Sequence, residues 1–272
     1  MKDLYLLKIG GSVITDLSKP NTVATGPVTI GTLLEEVSEA YSSGGFDLII
    51  GHGSGSFGHV AAAQYKVNDG LVYEDSKKGA TITHMTAKQL NDIFINEGLK
   101  LNMALYPFSP AHFSLSKNGE LISGFYGQLE AALKNGFIPV VHGDVIIDTE
   151  KGVSIASTEK VLDFIARGIK PTKVLYGSDI DGVFTANPKE DKNAKHIGVI
   201  DSSNINDALE NTGVSKTRVD VTGGMKTKLS KLYETCRDTG AEGYIFNITR
   251  PGMLKAMLLG IASPELYTIV RK

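Results

Sequence analysis

The chain has 272 residues, 42% of them hydrophobic and 21% charged, with a formal net charge of −2. That length and apolar content suffice for one large domain or two closely packed lobes, and the near-neutral balance argues against a nucleic-acid binder, which carries a basic excess. The single cysteine, Cys236, excludes an internal disulfide framework and any multi-cysteine metal site.

The chain opens on MKDLYLLKIGGS. Its apolar stretch is short and broken by Lys8, so it does not read as a signal peptide. No later run approaches the roughly 20 apolar residues that span a bilayer, and a cytoplasmic location is expected. LYLLKI (4–9) is the first predicted strand, apolar and closed by glycine. Lys8 sits inside it and touches the turn Gly10-Gly11-Ser12, where a lysine is costly without an anionic partner. The polar loop TDLSKP follows, and its Lys19 can fold over the same turn or stand in solvent. In Val28–Tyr41 the residues Leu33, Leu34, Val37, Ala40 and Tyr41 fall on one helical face. DLIIG (47–51) is the next strand, and it runs into GHGSGSFGH, a glycine-rich stretch ending on His59.

Segment 76–106 is predicted to be helical through its second half. Two hairpin-like pieces follow at 113–123 and 144–157, turning at Asn118-Gly119 and Lys151-Gly152, with the strand GFIPVVHG (136–143) between them. KVLYG (173–177) leads into YGSDIDGVFTANP, which carries Asp179 and Asp181. Met225–Thr239 has an apolar stripe of Met225, Leu229, Leu232, Tyr233 and Cys236, and GYIFNI (243–248) is the last clear strand. Strands alternating with helices predict a mostly parallel sheet covered by helices on both faces. One continuous fold of two lobes is expected, dividing near residue 170.

Glycine clusters at KIGGS (8–12), GHGSGSFGH (51–59) and VTGGMKTK (221–228) lie next to predicted elements. Glycine lets backbone N–H groups approach an anion without a Cβ in the way, and a helix N-terminus adds partial positive charge. Any one cluster reads as a tight turn; three in one chain, two with lysine, point to polyphosphate. There is no G-x-x-x-x-G-K-[ST] loop. GSGSFG (53–58) fits the dinucleotide pattern G-x-G-x-x-G, but that reading leaves KIGGS and GGMKTK unexplained. Lys226 reads as a solvated surface charge, whereas Lys228, one turn into its helix, is placed to meet a phosphate. Asp179 and Asp181 either bend their turn or face a nucleotide, and Asp144 follows a strand end. His52, His84, His112 and His142 show no metal-ligand spacing, so no protein metal site is expected.

LLKIGGSVIT, GHGSGSFGH, PVVHGDVIID, YGSDIDGVF and DVTGGMKTK, in this order, resemble the amino acid kinase superfamily, and within it the isopentenyl phosphate kinases. The resemblance runs from Leu6 to about Ile269. K-x-G-G-S and D-x-D-G-V are shared widely, while G-S-F-G-H, H-G-D-V and D-V-T-G-G-M-K single out that branch. The resemblance implies a three-layer α/β/α sandwich, a homodimer, and transfer of the ATP γ-phosphoryl group to isopentenyl phosphate in isoprenoid precursor synthesis, with Mg²⁺ brought by ATP. Lys8, Gly10, Gly11, Ser12, Ser54, Gly55, Asp179, Gly224 and Lys228 would serve the nucleotide. Gly53, Ser54, Gly58, His59 and Thr158 would serve the acceptor, and His59, Lys8 and Lys228 would act in transfer. The acceptor is already an anion, so the chemistry reduces to positioning and charge neutralisation.

Where the family commonly has S-G-D-D, this chain has STEK, Ser157 to Lys160. Thr158 replaces the glycine and Lys160 reverses a charge, which puts acceptor geometry in question. Ile82, Met85, Ile93, Phe94, Ile146 and Ala156 are the candidate walls for an alkyl tail. A same-fold kinase for a phosphonate such as fosfomycin, and a nucleotide-binding regulator without transfer, are the competing readings; intact Lys8, His59 and Lys228 speak against the second.

Overall fold

The computed structural model describes residues 2–124, 126–186, 188, 191–211 and 224–272. The first half runs β1 (Asp3–Ile9), α1 (Gly11–Ile14), α2 (Ile30–Ser42), β2 (Phe46–His52), α3 (Gly55–Gln64), α4 (Ser76–Lys100), β3 (Leu105–Pro107) and α5 (Pro110–Phe113). It continues with β4 (Ser114–Lys117), β5 (Glu120–Gly124), α6 (Tyr126–Lys134), β6 (Ile138–His142), β7 (Asp144–Asp148), β8 (Gly152–Ala156) and α7 (Thr158–Ile169). The remainder is β9 (Lys173–Ser178), β10 (Val183–Phe184), β11 (His196–Ile197), β12 (Val199–Ile200), α8 (Ile205–Asn211), α9 (Gly224–Thr239), β13 (Glu242–Asn247), α10 (Met253–Leu259) and β14 (Tyr267–Val270).

One eight-stranded sheet, in the order β12-β14-β13-β9-β1-β2-β6-β3, crosses both expected lobes. Its pairings are parallel except β13 with β14. Alternation along the strands divides the core. Tyr5, Leu7 and Ile9 of β1 pack with Leu33, Leu34 and Val37 of α2, Phe94 of α4 and Leu254 of α10. Leu6, on the opposite face, packs with Leu129 of α6, Leu162 and Ile165 of α7, and Leu229 and Leu232 of α9. The architecture is therefore the expected three-layer α/β/α sandwich with a mostly parallel central sheet. Because side chains two apart share a face, Lys8 must point to the side of Leu6, under α7 and α9.

Both hairpins form, and they join a separate four-stranded sheet in the order β5-β4-β7-β8. Asn118 and Gly119 have φ of 51° and 84°, the left-handed pair that a two-residue hairpin turn requires. Asp148 fastens the hairpins together: its carboxylate accepts from the amides of Asn118, Gly119, Glu150 and Lys151 and from the Ser116 hydroxyl. Burial pushes the Asp148 pKa up, but those hydrogen bonds outweigh it and hold the group well below the usual carboxylate range.

Helix α4 departs from expectation, being helical from Ser76 onward rather than through its second half. Its first turns carry small residues, Ser76, Gly79, Ala80 and Thr83, which are buried and let α4 lie close to the segment after α3. A Cβ on Gly79 would sit 2.2 Å from the Tyr65 side chain. Strand β3 was not expected; only three residues long and ending in Pro107, it occupies the sheet edge, where a missing N–H does least harm.

Candidate active site

The sheet ends of β1, β2, β6 and β9 converge, and the turns that follow them make the site. This is the carboxyl edge of a parallel sheet, where open α/β folds place their ligands. Gly53 follows β2 and donates its amide to Ile9 O at 3.0 Å, and Gly143 follows β6 and donates to His52 O at 3.4 Å. Gly10 follows β1, and a Cβ there would lie 3.4 Å from Gly177 O of β9.

The first two glycine turns interlock backbone to backbone. A Cβ on Gly11 would lie 2.5 Å from Gly55 N, and one on Gly53 would lie 2.6 Å from Gly11 N. Gly55 combines φ of 47° with a would-be Cβ only 2.1 Å from Thr15 Oγ1. Only residues without side chains fit here, and the result is a tightly fitted main-chain cradle at the start of α3. Ser54 is the N-cap of α3, and its side chain makes no capping bond. Gly58, buried one turn on, has no room for a Cβ because Ser54 Oγ would be 2.4 Å away. Gly58 thus leaves the space that the Ser54 side chain occupies. His59 follows on the exposed side of α3, and Ser12 is exposed on α1. The loop carrying Lys19 is tied down by Ser56, whose hydroxyl donates to Thr22 O while its amide donates to Thr15 Oγ1, but Lys19 itself is exposed.

Lys8 is 6% exposed, and its anionic partner is a carboxylate: Nζ lies 2.9 Å from Oε1 of Glu159, in the first turn of α7. Burial raises the Glu159 pKa, but the charge and hydrogen bond of Lys8, with a further contribution from the charge of Lys228, pull it down to about 2. One half-buried carboxylate thus senses lysines from β1 and from α9, the two predicted phosphate neutralisers. Sequence reading missed Glu159. It weighed Thr158 and Lys160 on either side, although an acid at the start of a helix behind a lysine-bearing strand was the available signal.

Thr158 is 2% exposed, and its hydroxyl donates to His52 O at 2.8 Å. Its methyl group fills the space over Gly51, so its side chain faces the core and leaves only its backbone to a ligand. Lys160 donates to Gly119 O at 2.8 Å and to Glu120 at 2.9 Å, tying α7 to a hairpin. Thr158→Gly should therefore cost about 2 kcal/mol, from a lost buried hydrogen bond and a void. On the resemblance read from the sequence, which would give Thr158 to the acceptor, the acceptor KM should rise more than the ATP KM. Denaturant melts and paired KM measurements check both effects; an effect confined to ATP would show that this segment belongs to the nucleotide side.

Asp179, just past β9, is exposed, whereas Asp181 is clamped by Arg250, with N···O distances of 2.6 and 2.7 Å. Gly224 begins α9 with φ of 64° and Lys226 is exposed; residues 221–223 of the third glycine cluster lie outside the described residues. The expected tail walls do not form one surface. Phe94 is core and stacks on His52, Ile146 and Ala156 lie in the cluster on the other face of the sheet, and Met85 is 55% exposed. Among the described residues no group of three or more His, Cys, Asp or Glu could hold a metal ion, and no helix is long and apolar enough to cross a membrane.

Comparison with known proteins matches residues 3–247 to the amino acid kinase family. The isopentenyl phosphate kinase of Methanothermobacter thermautotrophicus is 30% identical, over 94% of this chain and 96% of that protein. That of Methanocaldococcus jannaschii is 29% identical, over 94% and 95%. A solved isopentenyl phosphate kinase structure superposes with a TM-score of 0.80 at 26% identity, covering 96% of this chain and 97% of that one.

Proposed function

The chain belongs to the amino acid kinase family, and from that premise we propose that it is an isopentenyl phosphate kinase, transferring the γ-phosphoryl group of ATP to isopentenyl phosphate. A phosphate oxygen of the acceptor forms the new bond to the γ-phosphorus, the bond from that phosphorus to the β–γ bridging oxygen breaks, and its electron pair leaves with ADP. The observation that carries the reading is the convergence of the Lys8–Glu159 pair, within reach of Lys228, on the edge that bears the interlocked glycine cradle.

Two anionic groups must be brought together, so the protein's task is neutralisation and alignment. Lys8 and Lys228 supply cations, and Glu159 keeps both facing the same point. The amides of Gly10, Gly11 and Ser12 bind the donor phosphates, Gly53, Ser54 and Gly55 hold donor and acceptor phosphates apart, and His59 grips the acceptor phosphate. Asp179 and Gly224 serve the nucleotide, and Thr158 serves the acceptor through its amide. Mg²⁺ is brought by ATP. The region to about residue 170 forms the acceptor lobe and the rest the nucleotide lobe, in a cytoplasmic homodimer.

The test is ADP release from purified protein with Mg-ATP, comparing isopentenyl phosphate, dimethylallyl phosphate, longer prenyl phosphates and fosfomycin. Preference for isopentenyl phosphate is the expected result. Preference for fosfomycin would move the enzyme to phosphonate chemistry on the same fold, and ATP binding without turnover on any acceptor would make it a regulator.

A further inference from the structure

A polar cluster lies beside the glycine turns and is absorbed by nothing above. Asp144 follows Gly143 at the end of β6, the strand paired with the one that leads into Gly53. Its side chain is fully buried, yet it is not left uncompensated. Oδ1 accepts from His84 Nδ1 at 2.8 Å and from the Val145 amide at 2.8 Å, and Oδ2 accepts from the Ser109 hydroxyl at 2.8 Å. The His84 ring is 22% exposed, and the His112 ring meets it edge-on at 5.8 Å. With Nδ1 committed to the carboxylate, Nε2 is the remaining hydrogen-bonding atom of the ring. The bond to Asp144 raises the His84 pKa, favouring a ring that donates from both nitrogens.

His142, the last residue of β6, belongs to the same cluster. Its Nδ1 pairs with Gly143 O at 3.1 Å, which puts the proton on Nδ1 and leaves Nε2 as a lone-pair acceptor. That Nε2 is buried and has no partner among the described residues. An alkyl chain offers nothing to the partly exposed His84 ring, whereas a hydroxyl can accept from it.

We propose that His84, positioned by Asp144 and Ser109, is a second recognition point in the acceptor site, and that the enzyme also phosphorylates small alkyl phosphates bearing a hydroxyl on the chain. This inference rests on the acceptor lying at the Gly53–His59 turn, as proposed above. The hydroxyl takes no part in bond making; the phosphoryl group still passes to the acceptor's phosphate oxygen and ADP still leaves. The dyad acts by binding alone, and a hydrogen bond from a ring held in place by Asp144 favours the hydroxylated chain over its alkane analogue by about tenfold or more.

The experiment measures kcat/KM for isopentenyl phosphate, 3-methylbutyl phosphate and 3-hydroxy-3-methylbutyl phosphate with Mg-ATP. The wild-type ratio of hydroxylated to saturated acceptor should be about ten or more. His84→Phe should lower that ratio about tenfold, and His84→Gln, which keeps a hydrogen-bonding group, should fall between them. A wild-type ratio near or below one, or a ratio that neither variant moves, overturns the proposal. If isopentenyl phosphate turns over while the ratio is flat, the polar site falls and the kinase assignment stands. If only the hydroxylated acceptor turns over, and in a His84-dependent way, the polar site stands and the isopentenyl assignment falls. Silence on all three acceptors overturns both.

Discussion

His59→Ala should lower kcat by about 10²–10³-fold while leaving ATP affinity within about threefold, because in the proposed site it removes one preorganised donor from developing phosphoryl charge. The asymmetry follows from placement. His59 is exposed on α3, beyond the main-chain cradle, whereas the predicted nucleotide lysines stand on β1 and α9, across the site at Glu159. Removing an exposed ring from a helix surface costs little stability, so a loss of turnover would not reflect unfolding. Steady-state kinetics with isopentenyl phosphate, beside a calorimetric titration with ATP, separates the two readouts. Unchanged kcat would remove His59 from the acceptor site, and equal losses in turnover and ATP binding would place it on the nucleotide instead.

Glu159→Gln should damage both stability and activity. The change leaves the buried Lys8 charge without its counter-ion, and breaking one side of a buried pair typically costs about 3 kcal/mol or more. The titration of Glu159 gives a similar size: a fall from the ordinary value of 4.5 to about 2 is worth roughly 3 kcal/mol. The sign is fixed by the direction. A carboxyl depressed on folding contributes its full stability above pH 4.5 and loses it as pH falls toward 2. The wild type should therefore shed stability over that window, and the variant should lack this part of the acid limb, so that their melting curves approach each other below about pH 4. Turnover at neutral pH should fall by about 10- to 100-fold, as in the proposed site Lys8 and Lys228 lose the group that aligns them. Parallel curves down to pH 2 would show that the pair contributes no folding energy.

Much of the scaffold was readable because burial writes a short period into the chain. LYLLKI, DLIIG, KVLYG and GYIFNI are continuous apolar runs, as strands covered on both faces must be, and each appears within a residue or two of its predicted place. The beginning of α4 was unreadable for the opposite reason. SKKGATITHM has no apolar stripe, since its buried positions are filled by glycine, alanine, serine and threonine that serve close approach rather than hydrophobic contact. At the site, the glycine turns were legible because close backbone approach leaves one residue type. Glu159 was not, since a helical acid has many uses and its partner stands on a strand far away in sequence. Thr158 shows a related limit: the sequence marked the position as unusual, but a threonine that points inward to a carbonyl looks the same on paper as one that points at a ligand.

The interlocking of Gly11 with Gly53 and Gly55 makes the two turns a single mechanical part cut from distant pieces of chain. A side chain added to either turn strikes the backbone of the other, so enlarging one cannot be relieved by trimming the other, which has no side chain left to trim. Anyone building a chimera from this enzyme would have to transplant both turns together, with Thr15 beneath them, because a seam placed between α1 and α3 would cut through the part that has to fit most closely.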